Sequence, residues 1–304
     1  MREKRKDEHI TLASLNEDGP SSTKLEDFLL LHQAIAEIDM DEIDLSTNFL
    51  GKKMDLPIIV NAITGGTAKA EKINKILARM TRKYNIAMAV GSQTIAIKSP
   101  EVADTFAVVR KENPQGIVLA NIGANEAVAH VIEAIEMIGA DAVQLHFNIP
   151  QELAMWEGNR NFKGILSNVK EIVTHSPVPV IAKEVGFGFS REAVFALFNA
   201  GVKNFDIGGK GGTNFIVIED QRGGLFQGEF NDWGIPTAYS LVEALSLKLP
   251  IEIIASGGIR TTLDITKSLA MGADYVGIAG LFLKLIINQN EENLEKIINN
   301  MIYR

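Results

Sequence analysis

Three features of the chain predict an α/β fold, a (β/α)8 TIM barrel preceded by an N-terminal extension. Apolar runs of strand length recur eight times along the sequence. Each is followed by turn residues and then by a segment of helical periodicity, the pattern of parallel βα units. The 304 residues are also a length that such a barrel fills as one domain.

The predicted strands are 57–62, 86–90, 116–121, 142–146, 180–184, 204–207, 251–256 and 275–278. Their nearly continuous apolar character fits strands covered on both faces. Helical patterns lie between them at 69–84, 101–112, 126–138, 191–200, 237–247 and 263–271. Gly139 and Gly272 stand where helices stop, a position that suits glycine. An open Rossmann-like sheet is the runner-up. Against it, no Gly-x-Gly-x-x-Gly opens a helix after the first strand, and eight units exceed what an open sheet needs. Residues 1–50 form the extension, with a helix expected at 24–37, and residues 51–304 form the barrel.

An apolar fraction of 46% and a charged fraction of 22% are ordinary for a globular protein with a sizeable core. The net charge of −8 argues against a broad nucleic-acid surface. Cysteine is absent, which removes disulfides, thiolate metal sites and cysteine nucleophiles together. The charged start shows no signal-like apolar region, and no apolar run is long enough to span a bilayer, so a cytoplasmic location is expected.

Barrel chemistry sits at the C-terminal ends of the strands. Read in order, those ends carry Asn61 with Thr64, Ser92 with Gln93, Asn121, His146 with Asn148, Lys183 with Glu184, the run Asp206-Ile207-Gly208-Gly209-Lys210-Gly211-Gly212-Thr213-Asn214-Phe215, Ser256-Gly257-Gly258 and Ala279-Gly280. Such a rim favours a ligand site over a structural edge. By itself the glycine run is a tight turn or an anion cradle. After the sixth strand and beside two further glycine turns, it lies where barrels build phosphate sites from backbone N–H groups.

Lys183 is open to three roles: stabilising negative charge on a cofactor ring, forming a Schiff base, or pairing with a carboxylate such as Glu184. His146 is an acid or base, or a hydrogen-bonded structural residue. Glu152 is a ligand for a hard divalent ion or a solvated carboxylate. Arg5 and Lys6 clamp a diphosphate or belong to a frayed terminus.

Taken together, the motifs resemble those of type 2 isopentenyl-diphosphate delta-isomerases, flavin-dependent barrel enzymes. The match runs from Arg5-Lys6-Asp7-Glu8-His9 through Asn61-Ala62-Ile63-Thr64-Gly65-Gly66, Gly91-Ser92-Gln93, Ala120-Asn121-Ile122-Gly123 and His146-Phe147-Asn148-Ile149-Pro150-Gln151-Glu152. It continues through Lys183-Glu184-Val185-Gly186-Phe187-Gly188 and the glycine run to Ala255-Ser256-Gly257-Gly258 and Ala279-Gly280-Leu281-Phe282-Leu283-Lys284.

The resemblance implies FMN held by Ala62, Ile63, Thr64, Ser92, Asn121, Lys183, Gly208, Thr213, Gly257, Gly258, Ile259, Ala279 and Gly280. It implies substrate diphosphate contacts from Arg5, Lys6, His146, Asn148 and Gln151, and Mg2+ on Glu152. His146, Gln151 and Lys183 are then the catalytic side chains, with N5 of reduced FMN as the main acid and base and NADPH as reductant. A homo-oligomer, a tetramer or octamer, is implied, with a small diphosphate as substrate and neither nucleic acid nor membrane as partner. Three departures stand out: Gly208 where many relatives have serine, Asn159 where aspartate is common, and an end at Arg304 before the usual final segment. Two rival readings are an FMN-dependent barrel oxidoreductase and a non-catalytic flavin-binding protein.

Overall fold

A computed structural model describes residues 8, 11–12, 21–288 and 291–302. Eight short parallel strands close into a barrel: β3 (Ile58–Val60), β4 (Ala87–Ala89), β5 (Val118–Gly123), β6 (Ala142–Phe147), β7 (Val180–Glu184), β8 (Asn204–Asp206), β9 (Glu252–Ser256) and β10 (Tyr275–Ile278). β10 pairs with β3 to complete the ring, so the barrel sheet has no open edge. An antiparallel hairpin, β1 (Thr47–Phe49) and β2 (Lys52–Met54), precedes the barrel. The boundary expected between residues 50 and 51 falls at the turn of this hairpin.

The helices are α1 (Ala68–Lys83), α2 (Thr94–Lys98), α3 (Asp104–Glu112), α4 (Val128–Ile138), α5 (Ile149–Ala154), α6 (Ile165–His175), α7 (Arg191–Asn199), α8 (Phe215–Gln221), α9 (Thr237–Ser246) and α10 (Thr262–Met271). After β10 come α11 (Gly280–Asn288) and α12 (Glu291–Ile302). Helix ends follow local chemistry. The Thr67 hydroxyl accepts from the Ala70 N–H at the start of α1, and Thr261 and Asp264 form a reciprocal capping box on α10. Gly139 and Gly272 terminate α4 and α10 in left-handed conformation, as their positions in the sequence predict.

Alternation along the strands divides the core into two layers. Ile58, Val60, Val118, Ala120, Val143, Leu145, Phe205 and Val276 face outward to the helices. Ile59, Ala87, Leu119, Ala142, Ile181, Ile254 and Tyr275 fill the lower interior together with Phe49 and Met54 of the hairpin. The hairpin is therefore the plug of the barrel floor, and the Phe49 and Tyr275 rings meet at 4.6 Å between centroids. Two residues further along the same inward parity, the apolar layer gives way to Asn61, Asn121, Gln144, Lys183, Asp206 and Ser256, all buried.

One expectation fails. The segment 24–37 forms only a single 3-10 turn, Leu25–Asp27, and then runs without helix. Leu25 is buried in the core, but beyond Phe28 the apolar side chains have no surface to cover: Leu29, Leu31 and Ile35 are each more than 80% exposed. A short helix draws its stability from packing, so helical spacing alone does not suffice there.

Candidate active site

The polar layer is organised around Asp206, whose carboxylate is fully buried at the end of β8. It accepts hydrogen bonds from Asn61 Nδ2 at 2.6 Å, Lys183 Nζ at 2.9 Å, Gln144 Nε2 at 3.3 Å and the Ser256 hydroxyl. Register explains the convergence, since Lys183 pairs with Asp206 across β7 and β8 and His146 pairs with Lys183 across β6 and β7. A buried carboxylate needs this many donors to offset lost hydration.

From Asp206 the network continues sideways. Gln144 Nε2 donates to Asn61 Oδ1 at 3.1 Å, Asn121 Nδ2 donates to Gln144 Oε1 at 3.0 Å, and His146 Nδ1 lies 2.8 Å from Asn121 Oδ1. The Lys183 pairing with a carboxylate is therefore real, but the partner is Asp206. Glu184 turns instead into its own loop and accepts from the N–H groups of Phe187 at 2.6 Å and Gly188 at 3.0 Å. Burial pushes its pKa up to about 8, against the opposing pull of those N–H groups.

Several candidate flavin ligands gather beside this layer. Thr64 is buried and its hydroxyl has no hydrogen-bond partner among the described residues. An orphaned buried hydroxyl calls for a further group at that spot. Ala62 N–H is held by Asn61 Oδ1 at 2.9 Å, Ile63 packs on the core, and Ser92 lies 3.4 Å from the Thr94 hydroxyl.

The glycine run and the Gly257-Gly258 turn press backbone on backbone. A Cβ at Gly212 would lie 2.6 Å from Gly258 N, and one at Gly257 would lie 2.0 Å from Gly209 O. Among the described residues, the N–H groups of Gly212, Thr213 and Gly258 have no acceptor. They are therefore open to an anion, as is the N-terminus of α11 behind Ala279 and Gly280. The Ile259 side chain is buried beside them.

Gly208 departs from its expected place. It adopts φ +46°, its N–H goes to Ser256 Oγ at 3.2 Å, and its carbonyl accepts from Gly186 and Gly188. It acts as a joint between two loops, with neither its N–H nor its carbonyl turned to a ligand.

On α5, Asn148 Nδ2 donates to Glu152 Oε1 at 3.0 Å, and Asn159 N–H donates to Glu152 Oε2 at 2.7 Å. Among the described residues no three His, Cys, Asp or Glu side chains cluster to hold a metal. Glu152 alone fits the Mg2+ habit of taking one protein carboxylate with substrate phosphates and waters. Arg5 and Lys6 lie outside the described residues.

Two residues not anticipated from the sequence complete the rim. Glu219 on α8, buried at 1% exposure, accepts from Gln151 Nε2 at 2.8 Å and pairs with Arg222. Arg222 also reaches Glu8 of the N-terminal segment, with Nε 3.2 Å from Oε2.

Over residues 22–286 the chain matches the IMP dehydrogenase / GMP reductase domain family, so fold and site together define a barrel enzyme of that class. Its relatives narrow this further. It is 47% identical over 293 residues to an isopentenyl-diphosphate delta-isomerase of Moorella thermoacetica, covering 96% of this chain and 84% of the relative. It is 44% identical over 300 residues to the enzyme of that name from Listeria welshimeri, covering 98% and 84%. For Symbiobacterium thermophilum the identity is 43% over 291 residues, covering 92% and 80%. The chain belongs to the isopentenyl-diphosphate delta-isomerase family. A solved mandelate oxidase variant carrying a monooxide FMN adduct shares the fold, with a TM-score of 0.63 at 14% identity over 96% of this chain and 83% of that one.

Proposed function

We propose that the chain interconverts isopentenyl and dimethylallyl diphosphate at the C-terminal mouth of the barrel, using reduced FMN, with NADPH as reductant and Mg2+ as the diphosphate's counter-ion. What supports this reading is that the orphaned Thr64 hydroxyl, the Lys183 side chain and the N–H groups of Gly212, Thr213 and Gly258, which have no acceptor among the described residues, all belong to the C-terminal ends of the barrel strands or the loops that follow them. A flavin mononucleotide has a polar ring and a phosphate, and these groups suit both ends.

Thr64, Ala62, Ile63, Ser92, Asn121 and Lys183 would hold the ring. Gly212, Thr213, Gly258, Ile259 and Gly280 would hold the phosphate, while Gly208 and Gly257 shape the loops. An unactivated alkene is too weak a base for ordinary side-chain acids, and FMN, when bound in reduced form, supplies the acid and base chemistry. Lys183, fixed by Asp206, stabilises negative charge on the ring. His146, Asn148 and Gln151 orient the substrate diphosphate, joined by Arg5 and Lys6, and Glu152 takes Mg2+. Glu219 keeps the Gln151 amide turned to one side.

The test is an anaerobic assay of the purified protein with FMN, NADPH and Mg2+. Conversion of isopentenyl diphosphate is the expected result, and no conversion overturns the reading. Reduction of the flavin by substrate without NADPH would point to an oxidoreductase instead.

A cytoplasmic homo-oligomer belongs to the same proposal. The exposed Leu29, Leu31, Ile35, Ile38 and Met40 support self-association, and no helix among the described residues is long and apolar enough to cross a membrane. Light scattering at a monomer mass would remove the oligomer.

A further inference from the structure

We infer that Thr23 is a positioning residue for the cofactor phosphate: its γ-methyl sets the spacing between the glycine run and the Gly257-Gly258 turn, and so between the N–H groups that meet the anion. This role rests on the flavin reading proposed above, whereas the packing behind it does not.

Residues 21–27 cross the two glycine turns as a strap. Ser21 Oγ donates to Asp232 at 2.6 Å, and Asp232 also accepts from Lys210 Nζ of the glycine run at 3.0 Å. Thr23 O accepts from the Ala238 N–H of α9 at 3.0 Å. Leu25 O accepts from Lys267 Nζ of α10 at 2.8 Å, and the Leu25 side chain is buried in the core. The Tyr239 hydroxyl donates to Asp27 at 2.6 Å. The strap is thus fixed on α9, on α10 and on the loop before α9.

Where it crosses, Thr23 occupies the space that a side chain on either turn would take. A Cβ at Gly211 would lie 2.6 Å from Thr23 Cγ2 and 2.8 Å from its Cα and N, and a Cβ at Gly258 would lie 2.6 Å from the same methyl. One methyl carbon therefore sits against both glycines, and Thr23 is buried. Gly211 and Gly258 also hold φ of +133° and +76°, so backbone conformation and strap alike require glycine there. Two glycines of the apparent anion cradle make room for the strap.

The spacing matters because of what the turns present. Arg260 donates to the Gly258 carbonyl at 2.7 Å and to the Gly211 carbonyl. In a planar trans peptide the N–H points opposite to its carbonyl, so the N–H groups of Gly212 and Ile259 point away from the guanidinium. The guanidinium sets the direction of these groups, and the Thr23 methyl sets the distance between the turns that carry them. An anion shared by N–H groups of two loops is held well only while the loops keep that distance.

Affinities for FMN and riboflavin, read by quenching of flavin fluorescence, test this role, because only FMN carries the phosphate. The unaltered protein is expected to bind FMN at least about tenfold more tightly than riboflavin. Thr23→Ser removes the methyl alone and is expected to weaken FMN binding by about threefold or more. Thr23→Leu overpacks the crossing, drives the turns apart, and is expected to weaken it by about tenfold or more. Riboflavin affinity is expected to stay within about twofold in both. Thr23→Val keeps the methyl and removes the hydroxyl that accepts from the Leu25 N–H at 3.3 Å. It is expected to hold both affinities within about twofold.

Parental FMN affinity in a folded Thr23→Ser protein overturns the proposal. Equal losses of FMN and riboflavin also overturn it, because they mark a general loosening of the barrel mouth. A Thr23→Val loss as large as that of Thr23→Ser assigns the effect to the hydroxyl and overturns it too. If Thr23→Leu does not fold, the other two variants decide. An unaltered protein that binds FMN no more tightly than riboflavin overturns the phosphate site itself, and the role of Thr23 with it, before any variant is compared. The two failures are thereby told apart, and no readout requires turnover.

Discussion

Lys183 and Asp206 face each other across β7 and β8, in register, with Nζ 2.9 Å from Oδ2 and both residues buried. This ion pair sits on the boundary between the apolar floor of the barrel and the polar mouth. Replacing one partner leaves the other as an uncompensated buried charge, which costs about 3–5 kcal/mol. Asp206→Asn is therefore expected to lose at least about 3 kcal/mol in urea denaturation. The double variant Asp206→Asn with Lys183→Met is expected to recover part of that loss. A double variant no more stable than the single one would show that the pair is not the source of the cost.

Glu184 makes stability depend on pH in the unusual direction for a carboxylate. Burial raises its pKa from 4.5 to about 8 in the folded chain. Because the folded value lies above the unfolded one, the stabilisation is fully present below pH 4.5 and is lost as pH rises through about 8. The slope is at most about 1.4 kcal/mol per pH unit for one group. Denaturation of the unaltered protein between these limits is expected to show this decline from Glu184, and Glu184→Gln is expected to flatten it. Parallel pH profiles for the two proteins would count against the buried carboxylate.

Much of this architecture is legible in the sequence, for reasons that also mark where legibility stops. The eight strands read clearly because Val118, Ala120, Val143 and Val276 bury one face and Leu119, Ala142 and Ile254 the other, giving continuous apolar runs. The strand ends carrying Asn61, Asn121, His146 and Lys183 follow directly. Gln144 and Asp206 were equally accessible, because a step of two from His146 along β6 reaches Gln144 and the inward parity of β8 reaches Asp206. Glu219 and Arg222 were not. Their partners Gln151 and Glu8 lie 68 and 214 residues away, and no local pattern records such a meeting. The segment 24–37 misled because apolar spacing carries no information about whether a surface exists to receive it.

Gly208 offers a test of whether this joint between two loops tolerates a side chain. A Cβ there would lie 1.9 Å from Glu184 O, and the residue holds a left-handed φ of +46°. The backbone conformation alone costs about 1–2 kcal/mol for a non-glycine residue. Overpacking adds about 1–3 kcal/mol. Gly208→Ser is expected to lower stability by at least about 2 kcal/mol, read from the denaturant midpoint. A variant as stable as the parent would mean that the loops around Glu184 and Gly208 yield easily.

Thr64 separates a structural hydroxyl from a ligand-binding one. Its Oγ1 is buried with no hydrogen-bond partner among the described residues, so in the ligand-free protein it carries an unrelieved desolvation cost. Thr64→Val keeps the shape and removes that group. The ligand-free variant is therefore expected to be as stable as the parent or more so, by up to about 1 kcal/mol in thermal or urea unfolding. If the hydroxyl is there to meet a flavin, the same substitution removes a hydrogen bond on binding. FMN affinity, measured by fluorescence quenching, is then expected to fall roughly tenfold, the equivalent of about 1.4 kcal/mol. The opposite signs matter, because a residue needed only for packing would leave both quantities unchanged or lower both together. A Thr64→Val protein that binds FMN with parental affinity would remove Thr64 from the cofactor site.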